Sequence, residues 1–283
     1  MTLLAVPNVS EGRDHAVLDA IAAAFEAGGA RVLDVHADPD HHRAVFSLAG
    51  QPGTLARAVL TGAREALARI DLRRHEGAHP RVGVVDVAPI VFLRDADRGA
   101  ACAEALVLAD LLGDVLGLPV HLYGVLGGGR TRAELRRHGA ALQDVVKPDF
   151  GPARTHPTGG ATLVAARPPL VAFNLELAAP ATLADAKAIA AAIREGGTEG
   201  LPGVRAIGLH LERQGIVQVS TNIEDHRTAT AADVLAAVAR HAPVTTVELV
   251  ALAPEAAFAG FPQDISLKGF DPARHVIERR IDS

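Results

Sequence analysis

One order of elements, strand, helix, hairpin, helix, strand, can be read twice along the 283-residue chain. It constrains the fold more than any other feature. In the first half, TLLAVPN at 2–8 predicts a short buried strand ending at Pro7. The SEGRD turn at 10–14 opens a helix over 15–27, with Ser10 or Asp14 as N-cap and Gly28-Gly29 as stop. Strands at 30–36 and 43–50 flank the DPDHH turn, a helix follows over 54–70, and VGVVDVAPIVFL at 82–93 is a long apolar strand. A helix at 96–116, a strand at 118–124 and a helical segment reaching about 143 precede a loop rich in Pro and Gly at 148–162. The order then restarts: strand 167–177, helix 181–195, hairpin 204–211 and 215–223, helix 230–241, strand 244–252. Each half is the split βαβ pattern, a sheet with its helices on one face. The expected fold class is therefore α/β (α+β): two stacked βαββαβ-like subdomains, 1–167 and 168–283, their sheets facing each other with a ligand tunnel between them.

Composition narrows the function classes. Hydrophobic residues make up 49% and charged residues 22%, a globular balance. The net charge of −5 argues against a nucleic-acid partner, which needs a basic surplus. The single cysteine, Cys102, cannot form an internal disulfide and reads as a small buried residue. Residues 2–9 reach Glu11 and Arg13 too soon for a secretory core, and no apolar run is long enough to span a bilayer. The expectation is a cytoplasmic protein with no membrane partner.

Thirteen histidines draw attention to the loops. HEGAH at 75–79 matches H-E-x-x-H, which binds zinc only when both histidines share a helix face. Pro80 pushes His79 out of the helical region, so the motif reads instead as an extended loop feeding the strand at 82. A histidine there suits proton transfer near neutral pH. DVHADPDHHR at 34–43 offers Asp38, Asp40, His41 and His42 as metal-ligand types, yet Asp-Pro-Asp is also an ordinary turn, and no metal is expected. Arg43 is suited to clamp a carboxylate. GVLGGGR at 124–130 has the glycines of a phosphate loop without its lysine, and PTGGAT at 157–162 is a turn that lets something approach the backbone.

Several segments, taken in order, resemble the formiminotransferase family. They are VPNVSEGR at 6–13, LDVHADPDHHRAVF at 33–46, HEGAHPRVGVVDVAPI at 75–90, VHLYG at 120–124, PDFGP at 148–152, GATLVAARPPLVAFN at 160–174 and QVSTNI at 218–223. The resemblance covers nearly the whole chain. It implies transfer of a formimino group from N-formimino-L-glutamate to N5 of tetrahydrofolate, which acts as co-substrate, in histidine degradation and one-carbon metabolism. It also implies a homodimer. His79 falls on the family's catalytic histidine, with Asp34 or His36 expected to orient it. The family's folate-contacting stretch falls on Pro157, Thr158, Gly159, Gly160, Ala161, Thr162, Leu163, Val164, Ala165 and Ala166. Asn8, Glu11, Arg13 and Arg43 are expected to bind substrate, Arg167 being a further candidate for its carboxylates. Two departures stand out: Gly159, where some relatives carry a bulky aromatic, and the 124–132 loop. Other outcomes are a related folate enzyme using formiminoglycine or 5-formyltetrahydrofolate, and a folate binder without catalysis.

Overall fold

The computed structural model describes residues 1–77, 79–139 and 142–282. The chain divides into two units, Met1–Pro168 and Pro169–Ser283.

The first unit is built on a seven-stranded sheet. β1 (Leu3–Ala5) and β2 (Asn8–Val9) form one line of chain interrupted at Pro7, which has no N–H to give. This line lies antiparallel between β4 (Arg43–Gly50) and β5 (Val85–Val91). β3 (Arg31–Asp38) hairpins onto the outside of β4. On the far side of β5 run β7 (Thr162–Arg167) and then β6 (Val120–Leu122), both parallel to it. Every residue of β5 is buried, as a central strand requires.

Helices α1 (His15–Ala27), α2 (Leu55–Arg69) and α3 (Arg98–Leu116) cover one face. Their Ile21, Phe25, Val59, Leu108 and Leu112 pack with Phe46, Leu48, Ile90 and Val164 of the strands. Asp14 caps α1, accepting from the N–H groups of Ala16 and Val17. The opposite face carries two short helices, α4 (Arg132–Arg136) and α5 (Leu142–Val145). Leu135 and Leu142 there join Val82, Val87, Leu163 and Ala165 in a smaller cluster. A Thr131–Glu134 capping box starts α4 in spite of its brevity.

The second unit has its own core. β8 (Val171–Leu177), α6 (Leu183–Ile193), β9 (Val204–Leu211), β10 (Ile216–Ile223), α7 (Ala231–Ala239) and β11 (Val244–Val250) complete the βαββαβ order. β12 (Ser266–Lys268) adds a parallel edge, giving the order β12-β11-β8-β10-β9. α8 (Pro272–His275) and α9 (Ile277–Asp282) follow. Phe173, Leu175, Ile189, Ile193, Val234 and Val247 are central to the core.

Two expectations need correction. The strand read over 167–177 is the end of one strand and all of another, in different units, parted by Pro168-Pro169. β7 starts at Thr162, the last residue of the stretch read as loop. GATLVAARPPLVAFN is apolar almost throughout, so periodicity alone does not divide it. Second, the segment read as helical to about 143 begins as α4 and resumes as α5, and its positions 140 and 141 lie outside the described residues.

Candidate active site

Three loops meet at one end of the first sheet: Ser10–Asp14, the β3–β4 turn, and 75–81. Glycines allow the contact. A Cβ on Gly12 would lie 2.2 Å from the carbonyl oxygen of Asp38, and one on Gly77 would lie 2.5 Å from that of His41. Glu11 organises the first loop, its Oε1 accepting from the N–H groups of Gly12, Arg13 and Asp14 at 2.7–3.0 Å. Burial pushes the Glu11 carboxyl up, but these N–H groups and His42 outweigh it and keep it low. His42 Nε2 sits 3.2 Å from the same oxygen, while its Nδ1 faces the Glu76 carbonyl at 2.8 Å. The His42 ring stacks on His75 at 4.1 Å, with His42 held at φ 49°, rare for a non-glycine residue. His75 Nε2 donates to the His42 carbonyl at 2.7 Å, and burial lowers the ring's pKa to about 4. Arg81 closes the loop by donating to the carbonyl of His75 at 2.5 Å and to that of Gly77 at 3.2 Å.

A β-bulge supplies the centre of the site. Asn8 and Val9 face Val87 and Val85, which leaves Asp86 out of that ladder. The Asp86 carboxylate has no solvent exposure. It accepts from Arg43 Nη1 at 2.6 Å, from Arg136 Nη2, and from the Val82 N–H at 2.8 Å. Burial alone pushes Asp86 up; the guanidiniums of Arg136 and Arg43 overcome it and hold the group far below the usual carboxylate range. Arg43 also grips the Asn8 side-chain carbonyl through Nε at 2.9 Å and Nη2 at 2.5 Å. Burial lowers its pKa to about 10, still charged at neutral pH.

His79 lies against this cluster, half-buried. Its Nδ1 is 2.7 Å from its neighbour Pro80's carbonyl oxygen and 3.4 Å from Arg43 Nη1. Carbonyl oxygen only accepts, so the shorter contact places the proton on Nδ1 and the lone pair on Nε2. Nε2 has no hydrogen-bond partner among the described residues. Burial, and after it the positive charges of Arg43 and Arg136, hold His79 well below its ordinary pKa. At neutral pH the ring is an uncharged base. His41 flanks it with ring centroids 5.7 Å apart.

The other expected residues are placed as follows. Asn8 and Arg43 belong to the cluster. Glu11 holds its own loop and reaches across to His42 of the β3–β4 turn. Arg13 is exposed and donates to the Pro39 carbonyl at 2.9 Å, tying two loops together. Arg167 donates to the carbonyl of Pro168 at 2.9 Å. Asp34 and His36 are on the outermost strand, opposite Ser47 and Val45. Neither is a hydrogen-bond partner of His79; the Pro80 carbonyl orients the ring instead. The 157–161 turn packs beside the 79–84 segment, with Leu72 N–H donating to Thr158 at 2.9 Å, Val84 N–H to Gly159 at 2.8 Å, and Ala161 N–H to Val82 at 2.9 Å. A Cβ on Gly159 would lie 2.5 Å from the Leu67 side chain and 2.9 Å from that of His156, so an aromatic there requires both side chains to move. Thr162, Leu163, Val164, Ala165 and Ala166 form β7, Val164 and Ala166 packing on the helix side and Leu163 and Ala165 on the other.

Of the HEGAH motif, the described residues His75, Glu76, Gly77 and His79 are not helical, so the two histidines do not share a helix face. Among the described residues no group of three or more His, Cys, Asp or Glu side chains is placed to hold a metal ion. Nor, among them, is any helix long and apolar enough to cross a membrane. Asp86 and Arg136 were not anticipated from sequence. An aspartate inside the apolar run VGVVDVAPIV was the available signal for the first, because a buried carboxylate requires a partner.

A histidine base beside buried guanidiniums is a site equipped for proton transfer next to a bound anion. The profile described as formiminotransferase domain, N-terminal subdomain, matches residues 2–167, and that described as formiminotransferase domain matches 172–260. The chain belongs to the formiminotransferase family. It is 37% identical over 271 residues to the rat (Rattus norvegicus) formimidoyltransferase-cyclodeaminase, covering 88% of this chain and 49% of that protein. It is 36% identical over 228 residues to the glutamate formimidoyltransferase of Streptococcus pyogenes serotype M1, covering 77% and 76%. With the glutamate formimidoyltransferase of Thermoplasma acidophilum, identity is 32% over 298 residues, covering 98% and 96%. The chain thus spans about half the length of the cyclodeaminase-bearing relatives it matches.

Proposed function

We propose that this protein is a folate-dependent glutamate formimidoyltransferase, moving a formimino group from N-formimino-L-glutamate to N5 of tetrahydrofolate and releasing L-glutamate. The observation that carries the reading is the state of His79: neutral, its Nδ1 proton committed to Pro80, its Nε2 left to accept a proton. The names and coverage of the two single-activity relatives support it.

The transfer makes one carbon–nitrogen bond and breaks another. As N5 of the folate bonds to the formimino carbon it sheds a proton, which His79 Nε2 takes. As the tetrahedral intermediate collapses, the bond to the glutamate nitrogen breaks, and His79 returns the proton there. Acid–base help of this kind is worth roughly 10²–10⁴-fold. Arg43 supplies a charge for a donor carboxylate. The folate is assigned to the 157–166 segment, whose turn hydrogen-bonds to Val82 and Val84 just beyond the loop that carries His79. We place the enzyme in the cytoplasm as a homodimer, with no metal.

The test is His79→Ala, assayed spectrophotometrically with formiminoglutamate and tetrahydrofolate. Turnover should fall by roughly 10²–10⁴ while binding of a reduced folate, followed by calorimetry, stays within a few-fold. Undiminished turnover would refute the assignment of His79. Wild-type protein that turns over formiminoglycine or 5-formyltetrahydrofolate but not formiminoglutamate would identify a different donor.

A further inference from the structure

The buried cluster beside His79 does not balance its charge. Arg43 and Arg136 contribute two cations, and both touch the one carboxylate of Asp86. The side-chain exposures of the three are 11%, 12% and 0%, so water does little to screen them. His79 is neutral and adds nothing negative. The donors do not balance either. Arg43 has given Nε and Nη2 to Asn8 and Nη1 to Asp86. Arg136 gives Nη2 to Asp86, while its Nε is buried without a partner among the described residues. An unpartnered donor on a buried, uncompensated cation is costly, and a second carboxylate would relieve both deficits.

We infer that Arg136 and Arg43 form a two-guanidinium clamp for the α-carboxylate of the donor, with Asp86 as the strut that holds the two arms. The inference rests on the proposed reaction and names which part of the donor is read. Arg43 lies 3.4 Å from the His79 ring, so an anion on the clamp sits beside the proton-transfer site. In an N-formimino α-amino acid the α-carboxyl carbon is about 2.5 Å from the departing nitrogen, fixed by two bonds. Holding that carboxylate fixes the nitrogen next to His79. A carboxylate at the far end of a flexible side chain gives no such restraint. Arg136 comes from α4, a helix just beyond the glycine-rich loop, and Leu135 anchors it in the apolar cluster with Val87 and Leu163. The clamp therefore recognises the amino-acid head common to formiminoglutamate and formiminoglycine. Selection between them belongs to other residues.

The test pairs a change in the enzyme with a change in the substrate. Wild-type enzyme and Arg136→Met are assayed with N-formimino-L-glutamate and with N-formimino-γ-aminobutyrate, which lacks only the α-carboxylate. Removing either partner should lower kcat/KM roughly 10- to 100-fold, the worth of a hydrogen bond between charged groups. Removing both should cost clearly less than the product of the two separate losses, because in Arg136→Met only Arg43's hold on the carboxylate remains to be lost, and the KM for tetrahydrofolate should stay within two-fold. Full discrimination between the two donors by Arg136→Met would overturn the clamp, leaving Arg136 a purely structural tie to α4. Equal kcat/KM for both donors with wild-type enzyme overturns it without any variant. A binding measurement separates this inference from the proposed reaction. L-glutamate, but not γ-aminobutyrate, should raise the melting temperature of wild-type protein and not that of Arg136→Met. That pattern without formiminoglutamate turnover would support the clamp and refute the reaction; turnover without it would do the reverse.

Discussion

His79 is legible in the sequence because Pro80 follows it: the proline removes the helix a zinc motif needs, and the same residue's carbonyl then accepts the Nδ1 proton. What surrounds the ring is not legible, since Arg43, Asp86 and Arg136 come from positions 36, 7 and 57 residues away, respectively, and meet only through the sheet. Asp34 and His36, the near neighbours by strand reading, sit opposite Ser47 and Val45 at the sheet edge. The electrostatics make a specific pH prediction. A ring buried against two guanidiniums has its pKa lowered, so it stays a base to more acid pH than a free imidazole near 6.5. kcat/KM should be flat at neutral pH and fall on acidification with an inflection below 6.5. In Arg136→Met, one depressing charge is gone, and the inflection should move upward, toward 6.5. A pH profile of both proteins checks this; an inflection above 6.5 in wild-type enzyme would mean that His79 is stabilised as a cation. That result contradicts its role as a base.

At the scale of elements, the strands and long helices announce themselves by periodicity, and the bends that build the site do not. The bulge in β5 is one such bend, invisible in an apolar run yet responsible for freeing Asp86 from the ladder. The seam between β7 and β8 is another, since apolar residues continue across it. The packing of 75–81 onto the β3–β4 turn is a third, and it depends on Gly77. An alanine Cβ there would lie 2.5 Å from a backbone oxygen and 2.9 Å from His42 Cβ, neither of which is the end of a flexible side chain. Gly77→Ala must therefore push the loop outward and take His79 off its place beside Arg43. Misplacement by about 1 Å costs on the order of 10²-fold in rate. The expected result is a large loss of kcat with far-ultraviolet circular dichroism unchanged and reduced-folate binding little affected. Normal kcat would mean that the loop position does not matter for proton transfer.

At the scale of the whole chain, the chemistry and the architecture are divided unequally. Asn8, Glu11, Arg43, His79, Asp86 and Arg136 all belong to Met1–Pro168. Pro169–Ser283 has its described strands in one five-stranded sheet. Its buried cluster is drawn wholly from its own residues, and two Thr–Asp capping boxes fix the starts of α6 and α7. Repetition of element order made both halves recognisable as folding patterns, whereas of the two unanticipated buried charges only Asp86, an aspartate within an apolar run, carried a sequence signal, and nothing in the repeat pointed to Arg136. A unit of this size with a self-contained sheet and core meets the physical requirements of an independent domain. Residues 169–283 produced alone should give a dispersed amide NMR spectrum and a cooperative thermal transition. L-glutamate should not shift that transition, because the guanidinium clamp is absent from the fragment. Collapse to a state with helical circular dichroism but no cooperative melting would show that the second unit's core is insufficient by itself.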